Sequence, residues 1–305
     1  MKQICSFSLN QLENHVERDT ALIEAARGGN CDVVELLLKK GADPNTIGDT
    51  ALIVAAEEGD YDVVELLLNN GADKKAANFF GKTALVAAVR EGHEKVVQLL
   101  CDEADPDITT HNNELYEAAA RGDSTVVQSA LSQGANVNYQ NPEESGATSL
   151  HVAAKKGYHD VVKILVSAGA DVNLIDADEV TALIDSAREG HYGIVQLLLE
   201  KRARPNTIGD TALIAAAEEG HYDIVQLLLN NGADRSTANY DGDTALIESA
   251  REGHYEIVQL LLSNGADRNA SNFSGETAVV AAATEGHNNI VQLLSEEVDP
   301  IPVSN

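Results

Sequence analysis

The sequence is poor in aromatic residues. It has no tryptophan and only four phenylalanines, and aromatic side chains make up 4% of its 305 residues. Hydrophobic residues nevertheless amount to 44% of the chain. A core of this composition must therefore be built from leucine, isoleucine, valine and alanine, which pack closely without stacked rings.

Cysteine is also scarce. Cys5, Cys31 and Cys101 form an odd set without the spacing of a metal site or a disulfide framework. Such a set fits a reducing compartment, so we expect a cytoplasmic protein. The N-terminal residues lack the apolar run of a secretory signal. No segment has the ~20 apolar residues that a transmembrane helix needs.

Basic residues are the third deficit. Lysine and arginine number 21 against 49 aspartates and glutamates, which gives a formal net charge of −28. Nucleic acid and anionic membrane are therefore disfavoured as partners, because phosphate binding needs a basic surface. The charge favours a partner protein with a basic surface, although an acidic surface also serves solubility alone.

What the sequence has in abundance is one repeated segment. A Thr-Ala-Leu box, or a variant of it, recurs about every 33 residues, which is the period of a stacked repeat array. The nine copies, numbered here repeats 1 to 9, begin at Thr20, Thr50, Thr83, Asn113, Thr148, Thr181, Thr211, Thr244 and Thr277.

Repeat 7 predicts two short helices. Thr211 is suited to cap the first helix, and Gly220 to end it in a left-handed conformation. A second, more apolar helix follows and ends at Gly232. Neither helix can bury its apolar face within one repeat, so neighbouring repeats must stack.

The order G-x-T-A-L-x-x-A-A-x-x-G-H-x-x-I-V-x-L-L-L-x-x-G-A-D resembles the ankyrin repeat over about residues 19–300. The resemblance implies an all-α solenoid of helix-turn-helix repeats with projecting β-turn fingers. One departure is consistent: the family's Thr-Pro-Leu-His box is Thr-Ala-Leu-Ile in most copies, and only His151 keeps its histidine. Loss of the proline removes a pre-set φ at the first helical position.

The repeats divide into two predicted sub-arrays. Repeat 3 ends in CDEADPD (Cys101–Asp107), without the glycine that ends the second helix elsewhere, and repeat 9 ends in a similar way. Repeats 1–3 also recur at a constant offset as repeats 6–8. We predict an N-terminal cap or frayed segment over 1–18, sub-arrays over 19–107 and 108–299, and a tail over 300–305.

Five histidines occupy the same place in their repeats, directly after the glycine between the helices: His93, His191, His221, His254 and His287. Packed helices lie ~8–10 Å apart, whereas zinc holds its nitrogen ligands at ~2.0–2.1 Å. A ladder of that pitch does not predict a metal site, and in the ankyrin family this histidine usually hydrogen-bonds neighbouring backbone. We expect no metal and no cofactor.

Two pairs of adjacent carboxylates, Glu57–Glu58 and Glu218–Glu219, are the nearest approach to catalytic groups. No nucleophile, phosphate-binding loop or HExxH motif accompanies them, so we predict that the protein is not an enzyme. The acidic run Asp176–Glu179 lacks the glycine and the ligand spacing of a calcium loop. We assign it to a finger.

The family resemblance places partner binding on the concave face and the finger tips. The first of the two residues before the inter-helix glycine alternates in charge, from Arg27 through Glu57 to Arg90 and again from Arg188 through Glu218 to Arg251. This alternation predicts a ladder of exposed ion pairs, each worth ~0–1 kcal/mol. Three of the four phenylalanines fall at finger tips, where an aromatic ring either anchors a partner or packs against the next finger.

The predicted partner-binding residues are these finger aromatics together with charged residues of the first helices. They are Phe79, Phe80, Tyr240, Phe273, Glu57, Glu58, Arg90, Asp185, Glu218, Glu219, Glu248 and Arg251.

From these residues we predict a monomeric, non-enzymatic scaffold that binds a protein or an extended peptide. One alternative is an adaptor that recruits or inhibits an enzyme, and another is a structural tether without a specific partner. By analogy with long proteins built of ankyrin repeats alone, a microbial effector acting in a host cytosol is a further alternative.

The degraded boundary between repeats 3 and 4 should be the weakest in the array. Array stability is roughly a sum of repeat and nearest-neighbour terms, and residues 105–112 lack both the glycine and an intact Thr-Ala-Leu box. Hydrogen exchange resolved by peptide should show this boundary opening before the others. Protection over residues 95–125 equal to that of repeats 7 and 8 would contradict the two-sub-array organisation.

Overall fold

A computed structural model of the chain describes residues 15–101 and 106–296, apart from residues 47, 49, 208 and 210. Three predictions therefore lie partly or wholly outside the described residues. They concern most of the N-terminal segment with Cys5, the core of the junction at 102–105, and the tail from residue 297. The sub-array boundaries stay a prediction.

The described part of the chain is built from eighteen α-helices, which confirms the all-α expectation. In chain order they are α1 (His15–Arg27), α2 (Cys31–Lys39), α3 (Ala51–Glu58), α4 (Tyr61–Asn69), α5 (Ala84–Glu91), α6 (Glu94–Cys101), α7 (Pro106–Arg121), α8 (Ser124–Ser132), α9 (Ser149–Lys155), α10 (His159–Ser167), α11 (Ala182–Arg188), α12 (Tyr192–Glu200), α13 (Ala212–Glu218), α14 (Tyr222–Asn230), α15 (Ala245–Arg251), α16 (Tyr255–Ser263), α17 (Ala278–Thr284) and α18 (Asn288–Ser295). None of these helices combines the length and the unbroken apolar character that a bilayer-spanning segment needs.

The threonine of the box caps the first helix of most repeats, as predicted. Thr211 Oγ1 accepts a hydrogen bond from the backbone N–H of Ile214 at 3.3 Å, and the threonines of repeats 2, 3, 6 and 8 do the same. Repeat 1 departs from this pattern. Its helix begins at His15, so Thr20 lies inside the helix, where its hydroxyl donates to the carbonyl of Val16 at 2.8 Å.

The two helices of a repeat bury different amounts of surface. Residues Ala212–Ala217 of α13 are all buried, because small side chains let neighbouring first helices approach from both sides. The second helix α14 buries only one face, with Ile224, Val225 and Leu228 inside and Gln226 exposed. This asymmetry leaves polar residues of the second helices in water.

The chain divides into two compact units. The first comprises Met1–Ser149 with Ala168–Glu179, and the second comprises Leu150–Ser167 with Val180–Asn305. In the first, α1, α3 and α5 stack in sequence, and α2, α4 and α6 stack beside them. In the second, the stacked first helices are α11, α13, α15 and α17. The stacked second helices are α10, α12, α14, α16 and α18.

The fingers are short turns closed by single β-bridges, such as Ala238 with Thr244. The finger before repeat 5 is longer and forms a small antiparallel hairpin. Its strands are β1 (Gln140–Asn141) and β2 (Ala147–Thr148), and a 3₁₀ turn at Pro142–Glu144 joins them. The additional residues of NYQNPEESGA thus build a wider finger, in keeping with the expectation of a long finger there.

Repeat 3 makes contacts that a simple repeat array would lack. Its finger carbonyl at Gly81 accepts a hydrogen bond from Ile175 N at 3.2 Å, and Thr83 Oγ1 donates to Gln140 Oε1 at 2.5 Å. Gln140 Nε2 in turn donates to the carbonyl of Ile175 at 3.0 Å. Repeat 3 is therefore tied to the connectors that precede repeats 5 and 6, all within the first compact unit.

Substitution at Gly81 isolates this contact. A Cβ atom at Gly81 would overlap the carbonyl oxygen of Asn173, whereas one at Gly275, the equivalent finger position in repeat 9, would meet open space. Both glycines have a left-handed φ, +85° and +81°, so both alanine variants carry the same backbone strain. We expect Gly81→Ala to destabilise the protein by about 1–3 kcal/mol more than Gly275→Ala, the usual cost of overpacking.

The midpoint of urea unfolding measures the difference between the two variants. Equal shifts for both would mean that the contact between Gly81 and Asn173 does not form in solution.

Candidate partner-binding face

Each finger tip that carries an aromatic residue is shaped by the asparagine before it. Asn239 Oδ1 accepts hydrogen bonds from the backbone N–H groups of Asp241 and Asp243 at 3.0 and 2.8 Å. Asn78 and Asn272 hold the same two bonds in their fingers. Sequence reasoning missed these asparagines, although the pattern Asn-aromatic-x-Gly in all three fingers is a usable signal.

The finger aromatics face solvent. Phe79, Phe80, Tyr240 and Phe273 have exposed fractions of 59%, 52%, 58% and 83%. These are large values for rings in a protein that has so few of them, and they place apolar surface where a partner can reach it.

Three of the rings also rest against the finger before their own. Tyr240 lies over Gly209, Phe79 over Gly48, and Phe273 beside Gly242. A Cβ atom at Gly209 would come within 2.5 Å of the Tyr240 ring, so the glycine leaves the space that the ring occupies. Finger-to-finger packing is thus present, with the preceding finger, and it still leaves more than half of each ring exposed.

The two glutamates of each carboxylate pair at the end of a first helix differ in their exposure to solvent. Glu58 and Glu219 are exposed, whereas Glu57 and Glu218 are half-buried. Glu57 forms an ion pair with Lys82 at 3.1 Å. The outer glutamate of each pair is therefore the one available to a partner.

The predicted ladder of ion pairs is wrong for repeats 1 to 3. Arg27 pairs with Glu24 in its own helix at 3.9 Å, Glu57 pairs with Lys82, and Arg90 pairs with Glu179. Each charge reaches a nearer partner, on its own helix or on a finger, before it reaches the adjacent repeat.

Asp185 and Glu248, two of the charged residues predicted to bind a partner, are buried. Each has an exposed fraction of 7%. They occupy the fourth position of α11 and α15, where the neighbouring first helices cover the side chain. They are therefore not surface charges.

Glu248 belongs to a network around Arg251. Arg251 Nη2 lies 3.0 Å from Asp243 Oδ1 and 2.8 Å from Glu276 Oε2, and Nη1 donates to Glu248. Asn272 Nδ2 donates to Asp243 Oδ1 at 2.8 Å. The network joins the first helix of repeat 8 to its own finger and to the next one.

Burial and hydrogen bonding act in opposite directions on these groups. Burial favours a higher pKa for Asp243, but hydrogen bonds from Arg251 and Asn272 bring its pKa below the usual value. Burial raises the pKa of Glu248 despite the bond from Arg251. Burial opposes the charge of Arg251, yet its bonds to the three carboxylates raise its pKa. The positive charge of Arg251 thus offsets the repulsion among the three carboxylates of this cluster.

The five histidines tie each repeat to the one before. Each Nε2 lies 2.8–3.0 Å from a backbone carbonyl of the preceding repeat, such as Glu218 O for His254. A carbonyl only accepts, so each ring carries its proton on Nε2. The structural role is confirmed. Among the residues that the structure describes, no three histidine, cysteine or acidic side chains are placed to hold a metal ion.

These contacts also explain the inter-helix glycine of the repeat that precedes each histidine. A Cβ atom at Gly59 would come within 2.5 Å of the His93 ring of the following repeat. The glycine therefore gives room to the histidine of its neighbour in addition to ending its own helix.

The Arg251 network predicts an uneven cost of losing arginines. Arg251→Gln leaves Asp243 and Glu248 without their cation while both stay mostly buried, and we expect a loss of about 3 kcal/mol. Arg27→Gln removes an exposed pair and should cost only ~0–1 kcal/mol. Urea unfolding at neutral pH distinguishes the two, and similar shifts would show that the network contributes no stability.

The comparisons with known proteins agree with this architecture. A family model described as ankyrin repeats in three copies matches residues 2–78, 22–112, 115–208 and 205–272. A solved ankyrin repeat domain from Acinetobacter baumannii is 33% identical in sequence with a TM-score of 0.54, and the match covers 59% of this chain and 95% of that one. No curated protein matches the chain.

Ankyrin repeats are generally protein–protein interaction modules without catalytic activity. The matched segments span most of the sequence, and the stacked helix pairs, capped boxes and projecting fingers have the form that the resemblance implied. The chain belongs to the ankyrin-repeat family.

Proposed function

We propose that the protein is a non-enzymatic scaffold that binds a protein or an extended peptide across its finger tips and the ends of its first helices. The observation that carries the proposal is the exposure of four aromatic rings at finger tips. Buried at an interface, such rings are typical hot spots.

The charge of the chain supports a partner with a basic surface. The net charge of −28 and exposed glutamates such as Glu58 and Glu219 would speed encounter with a cationic protein and disfavour anionic ones. Cys31 and Cys101 are free thiols, which suits action in the cytoplasm. We further propose that the protein acts as a monomer.

Two other functions use the same fold. An adaptor that recruits or inhibits an enzyme would bind through the same surface, and its partner would be the enzyme. A structural tether would bind nothing specific, and the exposed rings argue against it, because unpartnered aromatic surface is a liability for a soluble protein.

Truncation of Phe79, Phe80, Tyr240 and Phe273 to alanine should weaken binding to a captured partner by at least about thirtyfold, which corresponds to ~2 kcal/mol for hot-spot rings. Charge reversal at Glu58 and Glu219 should mainly slow association and flatten its salt dependence. Partners are first captured with the wild-type chain, identified by mass spectrometry, and then titrated against each variant.

The matched control carries Gln226→Ala and Gln259→Ala, on the exposed faces of α14 and α16. Unfolding curves for all variants separate lost binding from lost folding. If the control loses affinity and the finger variant does not, the binding face lies on the second helices and the proposal is wrong.

A further inference from the structure

The second compact unit presents a regular row of glutamates beside its finger aromatics. The residue directly before the inter-helix glycine is a glutamate in four consecutive repeats, Glu189, Glu219, Glu252 and Glu285. All four are exposed. Within the described residues, none of the four side chains forms a hydrogen bond or an ion pair.

The residues directly before the four glutamates are Arg188, Glu218, Arg251 and Thr284, so negative charge still predominates along the row. Arg251, which directly precedes Glu252, is already shared among three carboxylates of its own network. In repeat 5 the equivalent place carries a lysine, Lys156, and in repeat 4 an arginine, Arg121. The row is therefore four glutamates long.

The spacing of the row follows from helix packing. The helices that end directly before these glutamates, α11, α13, α15 and α17, pack one on the next. Packed helices lie ~8–10 Å apart, so equivalent side chains recur at about that interval. A polyproline II chain has three residues per turn and rises ~3.1 Å per residue, so every third side chain lies on one face, ~9.3 Å from the last. The two intervals agree.

The other edge of the same helices carries aromatic rings. Tyr240 and Phe273 stand on the fingers that lead into α15 and α17, and both are more than half exposed. A seven-residue helix such as α15 is ~10 Å long at 1.5 Å per residue, which is close to the width of one extended chain with its side chains. Aromatic surfaces of this kind bind polyproline II segments.

We propose that this face of the second compact unit binds one basic peptide segment in the polyproline II conformation, with lysine or arginine at every third position. Its cationic side chains pair with Glu189, Glu219, Glu252 and Glu285 in turn. Its proline or apolar side chains, on a second face of the same segment, contact Tyr240 and Phe273. The inference rests on the proposed function and specifies the chemistry of the partner.

Two synthetic peptides of identical composition test the spacing. One is Lys-Pro-Pro repeated four times, and the other has the same four lysines consecutively followed by eight prolines. Fluorescence anisotropy with the full chain should show about tenfold tighter binding of the regularly spaced peptide, because it forms four exposed pairs of small individual energy. The difference should shrink at high salt. Equal affinities would overturn the proposal.

Charge-matched variants locate the effect. Glu189→Gln with Glu219→Gln and Glu252→Gln should abolish the preference for the spaced peptide. The control triple, Glu200→Gln with Asp223→Asn and Glu256→Gln, makes the same charge change at exposed residues of the second helices. It should weaken both peptides alike and keep the preference. If the control abolishes the preference as well, binding is a response to net charge and the proposed row is wrong.

A third variant addresses the aromatic edge. Tyr240→Ala with Phe273→Ala should lower affinity for the spaced peptide while the unfolding midpoint stays near that of wild type. If no spacing preference exists but the finger variant still loses a captured partner, this inference fails and the scaffold proposal stands. If neither peptide binds the wild-type chain at low salt, the inference also fails.

Discussion

The structure depends on the burial of each first helix between its neighbours. In α13 every residue from Ala212 to Ala217 is removed from water, although one repeat has nothing of its own to cover more than one side of that helix. The helix is stable only because α11 and α15 lie against it. The alanine-rich sequence of this helix follows from that burial, because small side chains let the helices on both sides approach closely.

A second set of contacts keeps the stacked repeats in register. Apolar contact between smooth alanine surfaces is not directional, so it would allow neighbouring helices to slide. In five repeats a histidine follows the inter-helix glycine and donates to a carbonyl of the preceding repeat, and its ring fills the space beside the glycine of that preceding repeat. Directional bonds at one end of the helices and finger contacts such as Phe273 N to Asp241 O at 3.1 Å at the other end fix the register that hydrophobic burial leaves free.

Local features of the fold were predictable because the residues that determine them lie within the same repeat or in the adjacent one. Thr211 and Gly220 mark the ends of a helix through chemistry that acts within four residues, and the histidines report a contact to the immediate neighbour. The finger aromatics were found from their position in the repeat alone. In all these cases the interacting groups are close in sequence or are related by the period.

The predictions that failed concern choices among several available partners. Glu57 could reach an arginine of an adjacent repeat or the finger residue Lys82, and only the three-dimensional arrangement shows that Lys82 is nearer. The sequence alone suggests that Glu248 is an exposed acid. In the structure it lies in a buried hydrogen-bonded network with Arg251, Asp243 and Asn272. The contact between Gly81 and Asn173 has no signal in the repeat pattern, because it joins segments that the period does not relate.

The contact between Gly81 and Asn173 changes the topology of the first compact unit. In a linear array each repeat contacts only its neighbours. Unfolding therefore begins at an end of the array or at its least stable interface. The bonds from Gly81 and Thr83 to the connectors before repeats 5 and 6 close a loop of roughly ninety residues, and loop closure carries an entropy cost that grows slowly with length. Repeat 3 and the connectors before repeats 5 and 6 must therefore be ordered together before those bonds can form. The first compact unit should behave as one cooperative folding block of high contact order and fold more slowly than the second, in which contacts between adjacent repeats predominate.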